Sequence, residues 1–393
     1  MRIAMFHWGF PPIIGGVETH LTMLCPTLVQ KGHKVALLTS TVESINKIED
    51  SYKGMSIRRT PLMDLNWLHK RGLEDIEDKV EEVFAEFIEK TRPDIIHAHN
   101  MHYFSPAHTK ILEKMAKKKG IPLVLTAHNV WDDILFLDLT LDIAWDHIIS
   151  VSEFIAKELA SAGVSRKKVT VVHHGIDTKK FAPQRAKKEI FKRYPKLKHK
   201  RVLFHPARSG LAKGSDIGVK ALRIIKKAIP DVLLILAGTR RIIDWSDSQH
   251  KDLAYIVQLI KRFGLEDNTF MNVFSHDEIP DLYHASEFAI YPSSVGEPFG
   301  LTMLEAMACA KPMIVTNSGG MPEIIKNGVN GFVIKVRDYK ALADRCITLF
   351  KDPERKSNLG QTAREITEQK FTKEIMTENT LAVYRKLAKK QKR

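Results

Sequence analysis

Short apolar runs of strand length alternate with amphipathic helical stretches along almost the whole chain, and this alternation limits the fold more than any other feature. In the first half the runs are Ile3 to Phe6, Val35 to Thr39, Ile95 to Ala98, Leu123 to Thr126, His147 to Val151 and Val169 to Val172. Helical patterns lie near Thr19 to Gln30, Leu73 to Thr91 and Ile155 to Ala162. Strands this apolar are buried on both faces, which predicts a parallel sheet covered by helices on either side. The pattern restarts at Val202 to His205 and continues through Val232 to Ala237, Thr269 to Phe274, Phe288 to Tyr291, Met313 to Thr316 and Gly331 to Ile334. The expected fold class is therefore α/β, with two doubly wound, Rossmann-like domains. A chain of 393 residues is too long for one ordinary core, which agrees.

The segment HHGIDTKKFAP, residues 173–183, ends one pattern before the next begins, and its Gly and Pro mark a turning chain. Expected domains are thus 1–178 and 179–370, with a last helix, 371–393, that has no strand to cross back to in the second sheet and can pack on the first domain. Two such domains facing one another line a cleft with strand carboxyl ends and helix N-termini, where ligands of these sheets bind.

Charge is unevenly placed. The net formal charge is +15, yet residues 1–170 carry 21 basic and 22 acidic side chains, whereas residues 171–393 carry 40 and 24. A basic half attracts phosphates or anionic headgroups without choosing among them. It lacks the interleaved aromatics of a nucleic-acid module, so no nucleic-acid partner is expected. Cys25, Cys309 and Cys346 show neither pairing nor a CxxC spacing. The N-terminus is too short and interrupted for a secretory signal, and the apolar runs fall short of the ~20 residues of a membrane span. A cytoplasmic protein is expected, with its basic half available to meet the inner membrane surface.

The strongest chemical signal is YPSSVGEPFGLTMLEAMACAKPMIV, residues 291–315. A strand ends, a loop containing Glu297 and Pro298 follows, and a helix opens near Gly300 with Glu305 inside it. Backbone N–H groups of Phe299, Gly300 and Leu301 at such a helix start suit a diphosphate or sugar hydroxyls. Carboxylates beside an anion site are best used to accept hydrogen bonds from neutral hydroxyls, which sugars and riboses supply. A second signal, HPARSGLAKGSD at residues 205–216, sets Arg208 and Lys213 in one loop after a strand, where a planar fork and a mobile point charge can converge on one dianion. A third, PPIIGGVETH at residues 11–20, offers Gly15 and Gly16 for close backbone approach to a ligand. It is neither GxGxxG nor a P-loop. His128 in VLTAHNVW stands at a strand end. His97, His99 and His102 in HAHNMH lack an acidic or cysteine partner at a known ligand offset, so no metal is expected there.

The string from Glu297 to Glu305, with Ala306 to Ala308, GGMPEII at 319–325 and NGF at 330–332, resembles the retaining nucleotide-sugar glycosyltransferases of glycosyltransferase family 4, which have the GT-B architecture. The resemblance extends over nearly the whole chain, although the Gly that usually precedes the Arg is Ala207 here. It implies a hexosyl donor of the UDP- or GDP-sugar type, with the diphosphate on Arg208 and Lys213, the glycine loop of Gly15 and Gly16 beside the phosphates, the transferred sugar against Glu297 and the donor ribose on Glu305. It places His128 toward the sugar and the acceptor. The acceptor would be a glycan, a lipid-linked or a small molecule, with Trp8, Phe10, Tyr103, Phe104 and Trp131 as candidates to stack on it. No Asp-x-Asp signature is present, and two cations with a helix start can stabilise the leaving group, so neither metal nor cofactor is expected. Attack on the same face as the leaving phosphate is expected rather than a covalent glycosyl-enzyme. Two further readings on this fold stay open at this point: a nucleotide-sugar epimerase or hydrolase, and a nucleotide-sugar binding protein with decayed catalysis.

Overall fold

The computed structural model describes residues 1–42, 48–65, 67–68, 76–130, 134–238 and 246–391. In chain order the elements are β1 Arg2–Phe6, α1 Gly16–Gln30, β2 Lys34–Ser40, β3 Glu49–Tyr52, β4 Met55–Thr60, α2 Glu77–Thr91, β5 Ile95–His99, α3 Pro106–Lys119, β6 Leu123–Ala127, α4 Ile134–Leu141, β7 His147–Ser150, α5 Glu153–Ser161 and β8 Val169–Val171. There follow α6 Lys188–Arg193, β9 Arg201–His205, α7 Ser215–Ala228, β10 Val232–Gly238, α8 Ser246–Arg262, β11 Thr269–Val273, α9 Ile279–Ala285, β12 Phe288–Tyr291, α10 Leu301–Ala308, β13 Met313–Thr316, α11 Met321–Ile324, β14 Gly331–Ile334, α12 Tyr339–Lys351, α13 Pro353–Lys370 and α14 Lys373–Gln391. The start of the helix expected from Leu73 lies outside the described residues, as does Trp131.

The chain divides into two units, Met1–Gly175 with Lys373–Arg393, and Ile176–Thr372. The boundary thus falls at Gly175, three residues before the expected position, and α14 belongs to the first unit. The first unit holds an eight-stranded sheet in the order β3-β4-β2-β1-β5-β6-β7-β8. Every pairing in it is parallel except β3 with β4. The second holds six parallel strands in the order β11-β10-β9-β12-β13-β14. Setting aside the antiparallel edge strand β3, each order reverses once, between β1 and β5 and between β9 and β12. Loops leaving the carboxyl ends of such a strand pair part to opposite faces of the sheet and open a crevice for ligands.

Burial explains the parallel sheets. Val232 to Leu236 in β10 are all fully buried, as a strand covered on both faces requires. Ile217, Ala221, Leu222 and Ile225 form the apolar stripe of α7 and pack with Leu234 and Ile290 into the second unit's core. α13 carries few apolar residues but is well started: the Asp352 side chain accepts from the Arg355 amide at 2.9 Å, with Pro353 in the first turn. α14 buries Met376, Leu381, Tyr384 and Leu387 in the first unit. Its Tyr384 hydroxyl is 2.5 Å from His97 Nδ1 on β5, and His97 Nε2 is 2.6 Å from the Thr126 hydroxyl on β6. Replacing Tyr384 by Phe leaves a buried ring nitrogen without its partner. The expected loss is about 1 to 3 kcal/mol of unfolding free energy, measured by urea titration.

Candidate active site

The geometry of the second unit is decided where β9 and β12, neighbours at the reversal of strand order, release their loops. The loop after β9 carries Arg208 and Lys213; the loop after β12 carries Glu297. Gly214 has φ +76°, and a Cβ there would lie 1.8 Å from the Pro292 carbonyl oxygen, so only glycine lets the two loops touch. The Ser294 amide donates to the Ala212 carbonyl at 2.9 Å. His205 Nε2 donates to the Lys213 carbonyl at 3.0 Å, and burial lowers the pKa of His205 to about 4, which keeps it neutral. The backbone of Lys213 is thereby fixed, and its Nζ reaches Glu297 Oε2 at 2.7 Å.

Glu297 is 8% exposed and is held from three directions. The Tyr291 hydroxyl donates to the same Oε2 that Lys213 meets. The Glu297 carbonyl accepts from the Gly320 amide at 2.8 Å, and Gly319, at φ +56°, approaches so closely that a Cβ would lie 2.2 Å from that carbonyl oxygen. Both side-chain contacts fall on Oε2, and among the described residues Oε1 has none. Burial, and the adjacent Glu297 charge, push the Tyr291 phenol far above its usual range, so it stays a donor. Lys213 Nζ also sits 5.7 Å from the Tyr291 ring centre. Arg208 is exposed and acts electrostatically on Tyr291, which places it on the same locus; among the described residues it has no hydrogen bond or ion pair.

α10 begins at Leu301, with Gly300 at φ +83° as its N-cap and no side chain capping its first amides. Pro298 and Phe299 lead into it, and Phe299 is buried. Glu305, 7% exposed, accepts from the Tyr283 hydroxyl at 3.1 Å, and that hydroxyl is 2.9 Å from the Thr302 carbonyl. Burial raises the Glu305 carboxyl to about 7, against which the Tyr283 bond and the Lys180 charge act in the other direction. A carboxyl that is half protonated near neutrality can both donate to and accept from a diol. The far end of α10 is fastened by α13: Arg364 donates to the Ala308 carbonyl at 2.8 Å, and Gly360 lies where a Cβ would be 2.2 Å from the Ala310 oxygen.

In the first unit, His128 follows β6 and its amide donates to the Asn100 side chain at 2.8 Å. The ring is 6% exposed, stacks on His174 at 5.1 Å and lies with Nε2 3.0 Å from His99 Nδ1. Burial, then the neighbouring imidazoles, hold its pKa well below the ordinary value. Gly15 is the N-cap of α1, and the space it leaves is filled by this chain's own Glu18: a Cβ on Gly15 would be 2.3 Å from Glu18 Oε2, and one on Gly9 2.0 Å from Oε1. A Cβ on Gly16 meets nothing within 4 Å. His7 bridges Glu18, at 3.2 Å, and the His99 carbonyl, at 3.1 Å.

Three of the aromatic acceptor candidates are corrected. Phe10 is 1% exposed and packs on Tyr52, while Trp8 and Phe104 stack on each other at 5.1 Å, both buried. Tyr103 is partly exposed, edge-on to Trp8. Glu18, Tyr283 and Tyr291 escaped sequence reasoning. Tyr291 had a signal, since it is the last residue of the strand before the Glu297 loop; Tyr283 lies a helix and a strand away from Glu305 in sequence and had none.

Two parallel α/β units with these loops at the strand-order reversals define the GT-B glycosyltransferases. The chain belongs to glycosyltransferase family 4: residues 14–180 match the family model "Glycosyltransferase Family 4" and residues 186–366 the model "Glycosyl transferases group 1". It is 29% identical to spore coat protein SA of Bacillus subtilis, covering 96% of both chains. It is 27% identical to N-acetyl-alpha-D-glucosaminyl L-malate synthase of Bacillus anthracis, covering 95% of this chain and 94% of that one. Among solved structures, HepE of Anabaena in complex with UDP-glucose superposes with a TM-score of 0.79 at 20% identity, covering 98% of this chain and 99% of the other. Sucrose-phosphate synthase from Thermosynechococcus elongatus gives 0.80 at 21%, covering 98% of each. The chain is a glycosyltransferase of the GT-B fold. Among the described residues no helix is long and apolar enough to cross a membrane.

The raised pKa of Glu305 has a thermodynamic consequence. The folded state holds this proton more tightly than the unfolded chain, so the contribution to stability is full below the ordinary 4.5 and is lost as pH rises through about 7. Glu305→Gln should abolish about 3 kcal/mol of the decline in unfolding free energy between about pH 4 and pH 8. Urea titrations of both proteins across that range check it; parallel pH profiles would refute the assignment.

Proposed function

We propose that the chain is a retaining hexosyltransferase that takes its sugar from a UDP- or GDP-sugar and needs no metal for the transfer. The observation that carries this is the locus between β9 and β12, where Lys213 meets Glu297, Arg208 acts on Tyr291 and Gly300 at the start of α10 lies against Glu297 and Tyr291; Glu305 stands farther along that helix. Breaking the bond from the anomeric carbon to phosphate puts negative charge on the leaving diphosphate. Fixed cations and backbone dipoles aimed at that charge lower the barrier. Arg208 and Lys213 hold the diphosphate, together with the amides around Phe299, Gly300 and Leu301; Glu297 Oε1 accepts from the sugar's hydroxyls; Glu305 takes the ribose diol.

Glu297 is unsuited to be a nucleophile, because Lys213 and Tyr291 draw electron density from it. Same-face attack, with the leaving phosphate oxygen taking the acceptor's proton, needs no protein base, and all bonds balance: one glycosidic bond forms as the anomeric C–O bond to phosphate breaks. His128, kept neutral, is proposed to hydrogen-bond the transferred sugar, and Gly16 to sit beside the phosphates. HepE, bound to UDP-glucose on the same fold, supports a nucleoside diphosphate sugar as donor. The acceptor is proposed only as a hydroxyl compound of glycan, lipid-linked or small-molecule class.

Thermal-shift titration with UDP, GDP and their sugars names the donor, since a ligand at 100 times its Kd adds ~2.7 kcal/mol. Arg208→Ala is expected to lower kcat/KM by about 2 to 4 kcal/mol of transition-state stabilisation. Glu297→Gln should lower kcat without accumulation of a glycosylated protein in intact-mass spectra. A product with inverted anomeric configuration, or a sugar adduct on Glu297, would defeat the proposal.

A further inference from the structure

The carboxyl end of the first unit's sheet holds a second chemical feature that sugar transfer does not require. His20 from α1, His99 from the end of β5, His128 after β6 and His174 are all buried; the rings of His20 and His128 each lie beside the other three. One ring nitrogen from each of His20, His99 and His128 lies within 4.8 Å of one from each of the others. The neighbouring His97 and His102 are spent elsewhere, on Tyr384 with Thr126 and on the Asn129 carbonyl. The cluster is therefore assembled from three separate segments, and the HAHNMH string alone does not reveal it.

We infer that His20, His99 and His128 form a three-histidine site for a divalent transition ion of the zinc class. Imidazole is the ligand type that zinc, copper and nickel share, and three histidines with an open fourth position are a known zinc set. His99 Nδ1 and His128 Nε2 are 3.0 Å apart, close to the ~3.3 Å between two ligands of a tetrahedral ion with bonds of ~2.05 Å. An ion there takes the lone pairs of both nitrogens, and the ring proton now between them moves to the outer nitrogen of its own imidazole. Among the described residues His99 Nε2 and His128 Nδ1 have no hydrogen-bond partner, so turning to face the ion breaks only that one hydrogen bond between the described residues. His20 is oriented by the 2.8 Å contact between its Nδ1 and His174 Nδ1, while its Nε2 has no hydrogen-bond partner among the described residues. Metal-bound histidines ordinarily have an outer partner that fixes ring orientation, a carboxylate, carbonyl or water, and the His174 ring takes that place here.

His20 and His128 retain 5% and 6% exposure, which leaves the cluster on the surface side of the sheet end. Binding is argued from these side chains alone and is independent of the transfer reaction. On the reading given under Proposed function, a filled site withdraws His128 from the sugar, and the ion acts as an inhibitor.

The test uses the full chain, stripped with a chelator and titrated with Co2+ in the absence of donor and acceptor. About one ion per chain is expected, with the intense visible absorption of a four- or five-coordinate centre, bleached by an equivalent of Zn2+. Replacing His20, His99 or His128 singly by Gln should weaken binding by more than the ~10- to 100-fold that follows loss of an outer partner, and His174→Gln by about that factor. His102→Gln, with its ring outside the cluster, should bind as the parent does. Circular dichroism of each variant verifies folding, and the parent titration stands without any variant. Absence of saturable uptake by the parent would overturn the inference, as would uptake that the His20, His99 and His128 variants leave unchanged or that His102→Gln abolishes.

Discussion

The ion pair between Lys213 and Glu297 joins two loops that leave adjacent strands and part to opposite faces of the sheet, and the site is arranged around it. At 2.7 Å, with Glu297 largely buried and Tyr291 donating to the same oxygen, it is neither a surface pair of negligible worth nor a sealed internal one. Among the described residues it leaves Arg208 without an ion pair and Glu297 Oε1 without a side-chain partner. In the proposed reaction an incoming diphosphate competes with Glu297 for Lys213, so the ammonium is held in place before the anion arrives. Preorganisation of this kind is what makes fixed charges effective at a developing anion.

Much of the second unit's packing serves that pair. Gly214 and Gly319 remove the Cβ atoms that would hold the loops apart, and both have positive φ. His205 fixes the Lys213 carbonyl from beneath. α13 secures α10 through Arg364 and Gly360, and so maintains the position of Glu305 from outside the site. Glu305 itself depends on burial rather than on a counterion, which is why its proton affinity differs so much from that of an exposed carboxylate. Two carboxylates eight positions apart thus have separate environments: one paired with a lysine, the other buried and close to half protonation near neutrality.

The central strands of both sheets were legible because burial on two faces forces an unbroken apolar run, as in Val232 to Leu236. β3 and β4 were not, because EDSY and MSIRRT lie toward a sheet edge where one face meets solvent and charged residues are tolerated. α3 and α13 were missed for a similar reason. α13 buries only Leu359, Gly360, Ala363 and Thr367 over 18 residues, too thin a stripe to register as periodicity. Arg208, Lys213, Glu297 and Glu305 could be picked out because each stands just after a strand or in a helix's early turns. What sequence could not supply was partnership. Glu18 filling the space at Gly15, the phenols on Glu297 and Glu305, and the meeting of His20 with His99 and His128 all join segments distant along the chain. Trp8, Phe10 and Phe104 went the other way: aromatic loop residues that suggested stacking on a ligand are committed to one another and to Tyr52.

The central claim is that Lys213 is a diphosphate ligand held in readiness by Glu297, and calorimetric titration of UDP and GDP into the parent, Lys213→Met and Glu297→Gln tests it most directly. Neither nucleotide carries the sugar, so Glu297 can influence binding only through Lys213 and through its own charge. The account predicts that affinity for the preferred nucleotide falls about tenfold or more in Lys213→Met and rises severalfold in Glu297→Gln. An unchanged affinity in the first variant, or a loss of affinity in the second with its fold intact, would contradict it.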